Sequence, residues 1–530
     1  MPPLTLPSRS NPGRYTHDGA TRLVNCYAET TGADAKAPFA VYAVDGLRLF
    51  STLTGGGAVR GLFAMPGYML AVSGQTVFRI DPSGQATAIG GMLGSRRVMF
   101  ARNTAPVPQV GIVGEGQRFV YDGTALKPIS DPDLPAPNSI DVIDTYALYG
   151  IDDGRFFFSA LNDLTSIDAL NYGKAEGNAD GLRRLFVKNR EVWLLGELTT
   201  EIWTDTGDNL QPFQRLAGAV LEFGILAAAS LAQIRTQLLF VDHTGRVVQA
   251  ERYTPQRVST SAVERAIAGV ADPQTIEGFG YSARGHDFYV LNSPTWTWVF
   301  DLIEGQWHEQ MSFGLTRRLW SSYCNFSGRH IVGDYAAGKL YEVHPTALDD
   351  AGATLPMLVR AAVHSWPSKL KGQTLYIDHI PGTGLNVSKI ATLTADLMTI
   401  KADTGQYRAD ATFVEATAVD ISADTTTLRA DATTRRADVA LSNPAVALSS
   451  PALDITDPQI MVSVSRDGGI TFGTERFVPV GKQGNRKQHL RLNRWGKFSE
   501  DGAVFNIATT TSVTRGLMAM QFDTVPGPIE

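Results

Sequence analysis

The sequence predicts an all-β protein: a β-propeller of six or seven blades, followed by a small β-sandwich-like domain that carries a heptad-repeat insertion. Three observations predict it. Short apolar runs are separated by many of the chain's 51 glycines and 27 prolines, the pattern of strands between tight turns. A turn-then-strand signal recurs at close to the length of one propeller blade, ~40–45 residues. Near Pro356 the pattern changes, and it is then interrupted by a seven-residue repeat.

The totals set limits. At 530 residues the chain is too long for one compact core, so two or three domains are expected. Its 43% apolar and 19% charged content is ordinary for a globular protein. A net charge of −6 argues against a general DNA-binding protein, which would carry a basic footprint. Cys26 and Cys324 cannot build a disulfide scaffold, which is consistent with assembly in a reducing cytoplasm. The opening MPPLTLPSRSNPGRY has no secretory pattern. No apolar run approaches the ~20 residues of a membrane-spanning helix.

Residues 1–34 read as an extended N-terminal segment, with Thr21–Glu29 as a strand. Residues 35–355 read as the propeller. The recurring signal starts at Gly74, Gly116, Gly154, Asn189, Gly245, Gly285 and Gly338, at intervals of 42, 38, 35, 56, 40 and 53 residues, the longer gaps being read as insertions. Its fullest example is Gly285–Glu309, three short strands joined by two turns. There Trp296, Trp298 and Phe300 recur at every second residue, on one face of a strand. Radial packing of blades buries both faces of sheets too small to do so alone, and leaves only short edges. A large β-sandwich, or two, is the competing architecture. Ala262–Val270 is the one short helix expected.

A separate β-domain is expected over 356–386 and 457–530, and 387–456 reads as an inserted arm. In the arm Ala recurs at 395, 402, 409, 416, 423, 430 and 437, and Asp follows it in all but one case. An unbroken seven-residue period usually means a coiled coil. The many threonines pull toward β structure, so an extended, solenoid-like projection is preferred. Such an arm buries little alone and points to an oligomer. Its aspartate column reads as a solvated face rather than a calcium site.

Two motifs stand out in the C-terminal domain. Ser465, Asp467, Gly469, Thr471 and Phe472 fit an Asp-box, S-x-D-x-G-x-T-(W/F). In such a turn Ser and Asp side chains bond backbone N–H groups, a glycine takes positive φ and the aromatic residue anchors the hairpin in the core. Further on, Lys482, Arg486, Lys487, Arg491, Arg494 and Lys497 lie in a stretch without acidic residues. Along the strand, basic and polar positions alternate with Leu490 and Leu492. This face suits an acidic partner surface or DNA phosphate, against the plainer reading of a solvated strand. The nine histidines show no metal-ligand spacing, and G-x-S-x-G and P-loop patterns are absent. No catalytic residue, cofactor or metal is therefore expected.

RLVNCYAE from Arg22, YDGT at Tyr121, the stretch Glu201–Ala232, LLFVDHTGRVVQ, PQRVSTSAVERAI, WVFDLIEGQWHE, VGDYAAGKLYEV, SRDGGITFGTERFVPVGKQG and LNRWGKF follow one another along the chain. This order of motifs resembles the packaged-DNA stabilisation proteins of short-tailed bacteriophages, the tail hub or nozzle proteins. The arm at 387–456 departs from that pattern. The resemblance implies a structural virion protein of the tail, assembled in the host cytoplasm as a homo-oligomeric ring, typically a hexamer. It implies a place below the portal and its adaptor, where the ring extends the DNA channel and helps retain the genome. Genomic DNA would pass through without sequence readout. Implied partners are the portal–adaptor proteins and tailspikes or fibres or a tail needle. Two other classes remain open from the residues alone. One is a sialidase-like or other glycan-acting propeller, which the Asp-box motivates. The other is a generic propeller scaffold.

Overall fold

The computed structural model describes residues 3–526 apart from 16–18, 178–179, 209–210, 251, 365–369, 381–457, 481–488, 499–501, 512 and 514. The inserted arm at 387–456 therefore lies outside the described residues.

Among the described residues seven sets of four antiparallel strands follow one another. They span 59–91, 99–128, 139–174, 182–221, 232–257, 277–309 and 320–344, and the seventh set takes its fourth strand, Gly46–Thr52, from upstream of the first. The first strands of neighbouring blades lie against one another: Trp320–Phe326 against Val59–Met65, and Ser139–Ile143 against Leu182–Lys188. This is a seven-bladed propeller closed by an N-terminal strand. Seven apolar clusters each sit between two neighbouring blades. Between the seventh blade and the first, for example, Phe326 and Ile331 pack with Val59 and Met69.

The Gly285–Glu309 stretch forms the strands His286–Asn292, Thr297–Asp301 and Gln306–Glu309. Trp298 and Phe300 are buried between the fifth and sixth blades, with Trp296 packed beside them. The α-helix Ser261–Ala268 fills the same interface. Thr260 caps it by accepting the Val263 N–H, and Trp296 Nε1 donates to the Ala266 carbonyl at 3.2 Å. A helix fits here because the four-stranded fifth blade ends in the short strand Pro255–Arg257 and leaves Trp307 and Trp298 to be covered.

The recurring turn signal falls before the third strand in five blades. In the fourth and sixth blades it falls before the second, at Glu191–Gly196 and His286–Asn292. Measured on third strands alone, which begin at Thr76, Gln117, Arg155, Thr200, Val247, Thr297 and Lys339, the spacing is far more even. The long gaps of 56 and 53 residues are thus a change of strand rather than insertions.

Beyond the propeller two sheets face each other around Leu375, Ile377, Leu492, Trp495, Phe505 and Phe522. One sheet runs Cys26–Thr30, Phe39–Ala43, Gly516–Pro526, Leu370–His379 and His489–Phe498, with Pro3–Leu4 beside Gly516–Pro526. The other runs Arg22–Val24, Met357–Arg360, Val504–Thr509, Gln459–Ser465 and Arg476–Pro479. Strands from the N-terminal segment thus complete both sheets. Leu4, Leu23, Cys26 and Ala28 supply apolar side chains to the sandwich core, which is the physical reason an extended segment settles there.

Candidate functional site

The basic strand His489–Phe498 is the edge of its sheet. Leu490, Leu492, Trp495 and Phe498 point into the core, whereas Arg491, Arg494 and Lys497 are exposed. Lys482, Arg486 and Lys487 lie outside the described residues. Arg491 lies over the Tyr376 ring at 5.8 Å and donates through Nε to Asn493 Oδ1 at 3.2 Å. Arg494 adopts φ 64° and interrupts the alternation, so it and Asn493 are both exposed before Trp495 turns inward. At the head of the strand His489 hydrogen-bonds Asp378, which also takes Lys36 Nζ at 3.0 Å. Burial works against the charge of Asp378, but these two hydrogen bonds prevail and hold its carboxyl below the usual range.

An edge strand exposes unpaired backbone groups that can recruit foreign strands. Here two arginines cap two of its carbonyls. Arg476 Nη1 donates to the Asn493 carbonyl at 2.8 Å, and Arg466 Nη2 donates to the Trp495 carbonyl at 2.6 Å. Arg476 also stacks over Trp495 at 4.7 Å, and Arg466 over Phe498 at 5.3 Å. Neither was singled out from the sequence. The available signal was their position: Arg466 is the second residue of the Asp-box, in the turn after Gln459–Ser465, and Arg476 begins the strand that follows the box. Together with the exposed Arg491, Arg494 and Lys497 they place five basic side chains on this strand.

The Asp-box forms the turn after Gln459–Ser465. Ser465 Oγ accepts the Gly469 N–H at 2.7 Å and donates to Asp467 Oδ1 at 2.5 Å. Asp467 accepts the N–H groups of Ile470 and Thr471 at 3.0 and 2.9 Å, and the Thr471 hydroxyl at 2.5 Å. Those bonds, the Ser465 hydroxyl first, hold its carboxyl well below the usual range. Gly469 has φ 102°. Phe472 is only half-buried and lies against the Arg360 guanidinium at 4.8 Å. It covers the sheet surface rather than anchoring the core, because Trp495, Phe498 and Phe505 already fill the space beneath. A carboxylate so fully engaged by its own turn is a structural group.

The sandwich and the propeller share one sheet. Val24 pairs in parallel with Glu309 of the sixth blade, and Arg22–Val24 pairs with Met357–Arg360 on its other side. Arg22 grips Glu309 with two bonds, Nε–Oε1 at 3.0 Å and Nη2–Oε2 at 2.5 Å. Asn25, buried and at φ 55°, donates through Nδ2 to the carbonyls of Met311 and Pro356 at 2.8 and 2.6 Å. Its Oδ1 accepts the Met311 N–H at 2.9 Å. Sequence reasoning missed this junction, because its partners lie 286 and 331 residues apart and no spacing announces them.

Among the described residues no group of His, Cys, Asp and Glu could hold a metal ion. Among them, too, no helix is long and apolar enough to cross a membrane. The propeller is thus continuous with the sandwich through the strand Arg22–Val24, and the Asp-box carboxylate is saturated by its own turn. Residues 20–348 match the family described as Bacteriophage P22 Gp10, beta-propeller, and residues 421–524 match Bacteriophage P22 Gp10, beta-sandwich. The chain belongs to this family, the packaged-DNA stabilisation and tail hub proteins of short-tailed phages, and is a structural component of the virion tail.

Several solved structures are similar at low identity. The computationally designed Ika8 protein matches at 13% identity over 56% of this chain and 99% of its own, with a TM-score of 0.34. BamB from Moraxella catarrhalis matches at 10% identity over 61% and 97%, with a TM-score of 0.36. The WD40 β-propeller domain of Doa1 matches at 14% identity over 57% and 97%, also at 0.36. Likenesses this distant carry no argument about function. No curated protein matches the chain.

Proposed function

We propose that this chain is the hub or nozzle of a short phage tail. It assembles as a homo-oligomeric ring, a hexamer as the family resemblance implies, below the portal and its adaptor proteins. The ring extends the DNA channel, stabilises the packaged genome and offers docking surfaces to tailspikes or fibres or to a tail needle. We assign it no catalytic role, and place its assembly in the host cytoplasm. Residues 35–355 are taken as the propeller apart from Phe39–Ala43, which pairs in a sandwich sheet, 356–386 and 457–530 as the C-terminal β-domain, and 387–456, of which 421–456 falls within the sandwich family match, as an arm that meets neighbouring copies. The basic stretch Lys482, Arg486, Lys487, Arg491, Arg494 and Lys497, of which the last three lie in the strand His489–Phe498, is taken as docking an acidic partner.

The observation that carries this reading is the pair of family matches, propeller then sandwich, in order along one chain. Two further points support it. The strand Arg22–Val24 pairs with both the sixth blade and the sandwich strand Met357–Arg360, a continuous link that suits a ring subunit. A net charge of −6 suits a conduit, since a strongly basic lumen would hold DNA by its phosphates. The test is a phage lacking this chain. Its heads should fill with DNA and then lose it, so nuclease-protected DNA falls to background while head proteins remain. Full retention of DNA in such particles would contradict the proposal.

A further inference from the structure

Along the propeller axis lies a cavity of about 150 Å³, lined by Phe63, Arg97, Met99, Phe100, Arg184 and Leu231 among others. These residues come from the first strands of the first, second and fourth blades and from the segments that lead into such strands. A wider space of about 540 Å³ shares Phe63 and Phe100 with it and is lined by Arg102, Thr104, Asp141 and Asp144. The axis is thus open to small solutes.

Arg184 is the unusual group there. Its Nη1 lies against the Met99 sulfur, a weak acceptor, and among the described residues its buried Nε has no hydrogen-bond partner. Among the described residues no carboxylate lies within salt-bridge distance of it. Asp141, the acid whose charge it feels, spends Oδ1 on the Val142 N–H and Oδ2 on the Val187 N–H, both at 2.8 Å. Arg97 adds a second guanidinium to the same cavity. It is held through Nη1 by Glu277 Oε2 at 3.4 Å and the Ser321 carbonyl at 3.1 Å. Burial, with the charge of Arg97 acting in the same sense, lowers the pKa of Arg184 to about 10, so it remains cationic at neutral pH. Buried charges in folded proteins are normally paired. Guanidinium groups match tetrahedral oxyanions, which take two parallel N–H bonds from one such fork. A water's share of volume is about 30 Å³, so the cavity has room for a phosphate-sized ion with some solvent.

We infer that Arg184 and Arg97 form an oxyanion site on the propeller axis, which takes a free phosphate-like ion. Such an ion would tie the second and fourth blades across the axis, and neutralise two guanidinium groups that the surrounding acids do not fully pair. The inference is independent of the ring proposal.

Calorimetric titration of the full chain with inorganic phosphate, against chloride at equal ionic strength, tests it. The expected result is saturable binding at one site per chain. Binding should weaken at least tenfold in both Arg184→Met and Arg97→Met. It should be unchanged in Arg183→Met, whose side chain is exposed and pairs with Glu197. No saturable binding to the wild-type chain overturns the inference, and this measurement does not depend on any variant folding. Equal binding by wild type and a folded Arg184→Met also overturns it, since the ion would then sit elsewhere.

Discussion

The Arg318 guanidinium meets the Asp350 carboxylate at 2.7 Å, and neither side chain has any exposed surface. Arg318 leads into the first strand of the seventh blade, and Asp350 follows its third. Arg318 Nη2 also donates to the Asp45 carbonyl at 3.0 Å, one residue before the closing strand Gly46–Thr52. The pair therefore sits where the ring of blades is fastened by a strand from the other end of the propeller sequence. Removing one partner leaves a buried charge uncompensated, at a cost of about 3–5 kcal/mol. Arg318→Met and Asp350→Asn should each lower stability by that order in denaturant titrations. The double variant Arg318→Met/Asp350→Asn should lose less than the sum of the two single changes, because neither member of the pair is then left charged without the other.

At the junction, Asn25 makes three hydrogen bonds with its side chain while its backbone is left-handed. Asn25→Gly keeps the backbone free but strands two carbonyls and an N–H, and should cost about 2–4 kcal/mol. Asn25→Ala should cost roughly 1 kcal/mol more, the penalty of a Cβ in the left-handed region. Equal losses for the two variants would show that the backbone conformation is not what matters. Chemical unfolding of the full chain measures both.

His308 is buried beside Gln310, Tyr27 and His286. Burial first, then the charge of His286, lowers its pKa to about 3. The unfolded chain takes up a proton near pH 6.5 and the folded chain does not. Its contribution to stability is therefore complete above about pH 6.5 and is lost progressively as pH falls toward about 3. Between pH 7 and pH 5 the loss from this group is ~2 kcal/mol. His308→Asn should show a shallower decline over that range than the wild-type chain. Parallel curves would mean that His308 is protonated without penalty in the fold.

For the Asp-box the readout is local. Asp467→Ala removes the acceptor of the Ile470 and Thr471 N–H groups. Amide hydrogen exchange at those two positions should quicken. The Gly469 N–H, bonded to Ser465 Oγ, should change less. An unchanged exchange pattern would mean that the turn is held by its backbone alone.

Much of the propeller was legible because its blades repeat one local physics. Apolar strands alternate with turns at glycines such as Gly245 and Gly285, both of which adopt positive φ. The aromatic stripe at Trp296, Trp298 and Phe300 announced a blade interface because period-two spacing leaves one face to bury. The irregular intervals were misleading. Asn189 and Arg190 adopt positive φ before a second strand, and so imitate the turn that precedes a third strand elsewhere. The Asp-box turn could be read because it is held by residues within six positions of one another. The junction could not. Arg22 and Glu309, or Asn25 and Pro356, meet only after the whole ring has closed between them. The basic strand was visible as an alternation, but the arginines that cap its carbonyls are Arg466, in the turn after Gln459–Ser465, and Arg476, in the other sheet.

The most direct test of the account is the mass of the purified chain in solution, alone and mixed with the portal–adaptor complex of its virion. The account expects a change to a closed ring of copies, six by the family resemblance, when the complex is present. A chain that stays monomeric in both conditions, and that cleaves a sialoside or a similar glycan, would contradict it and make the Asp-box the better clue to function.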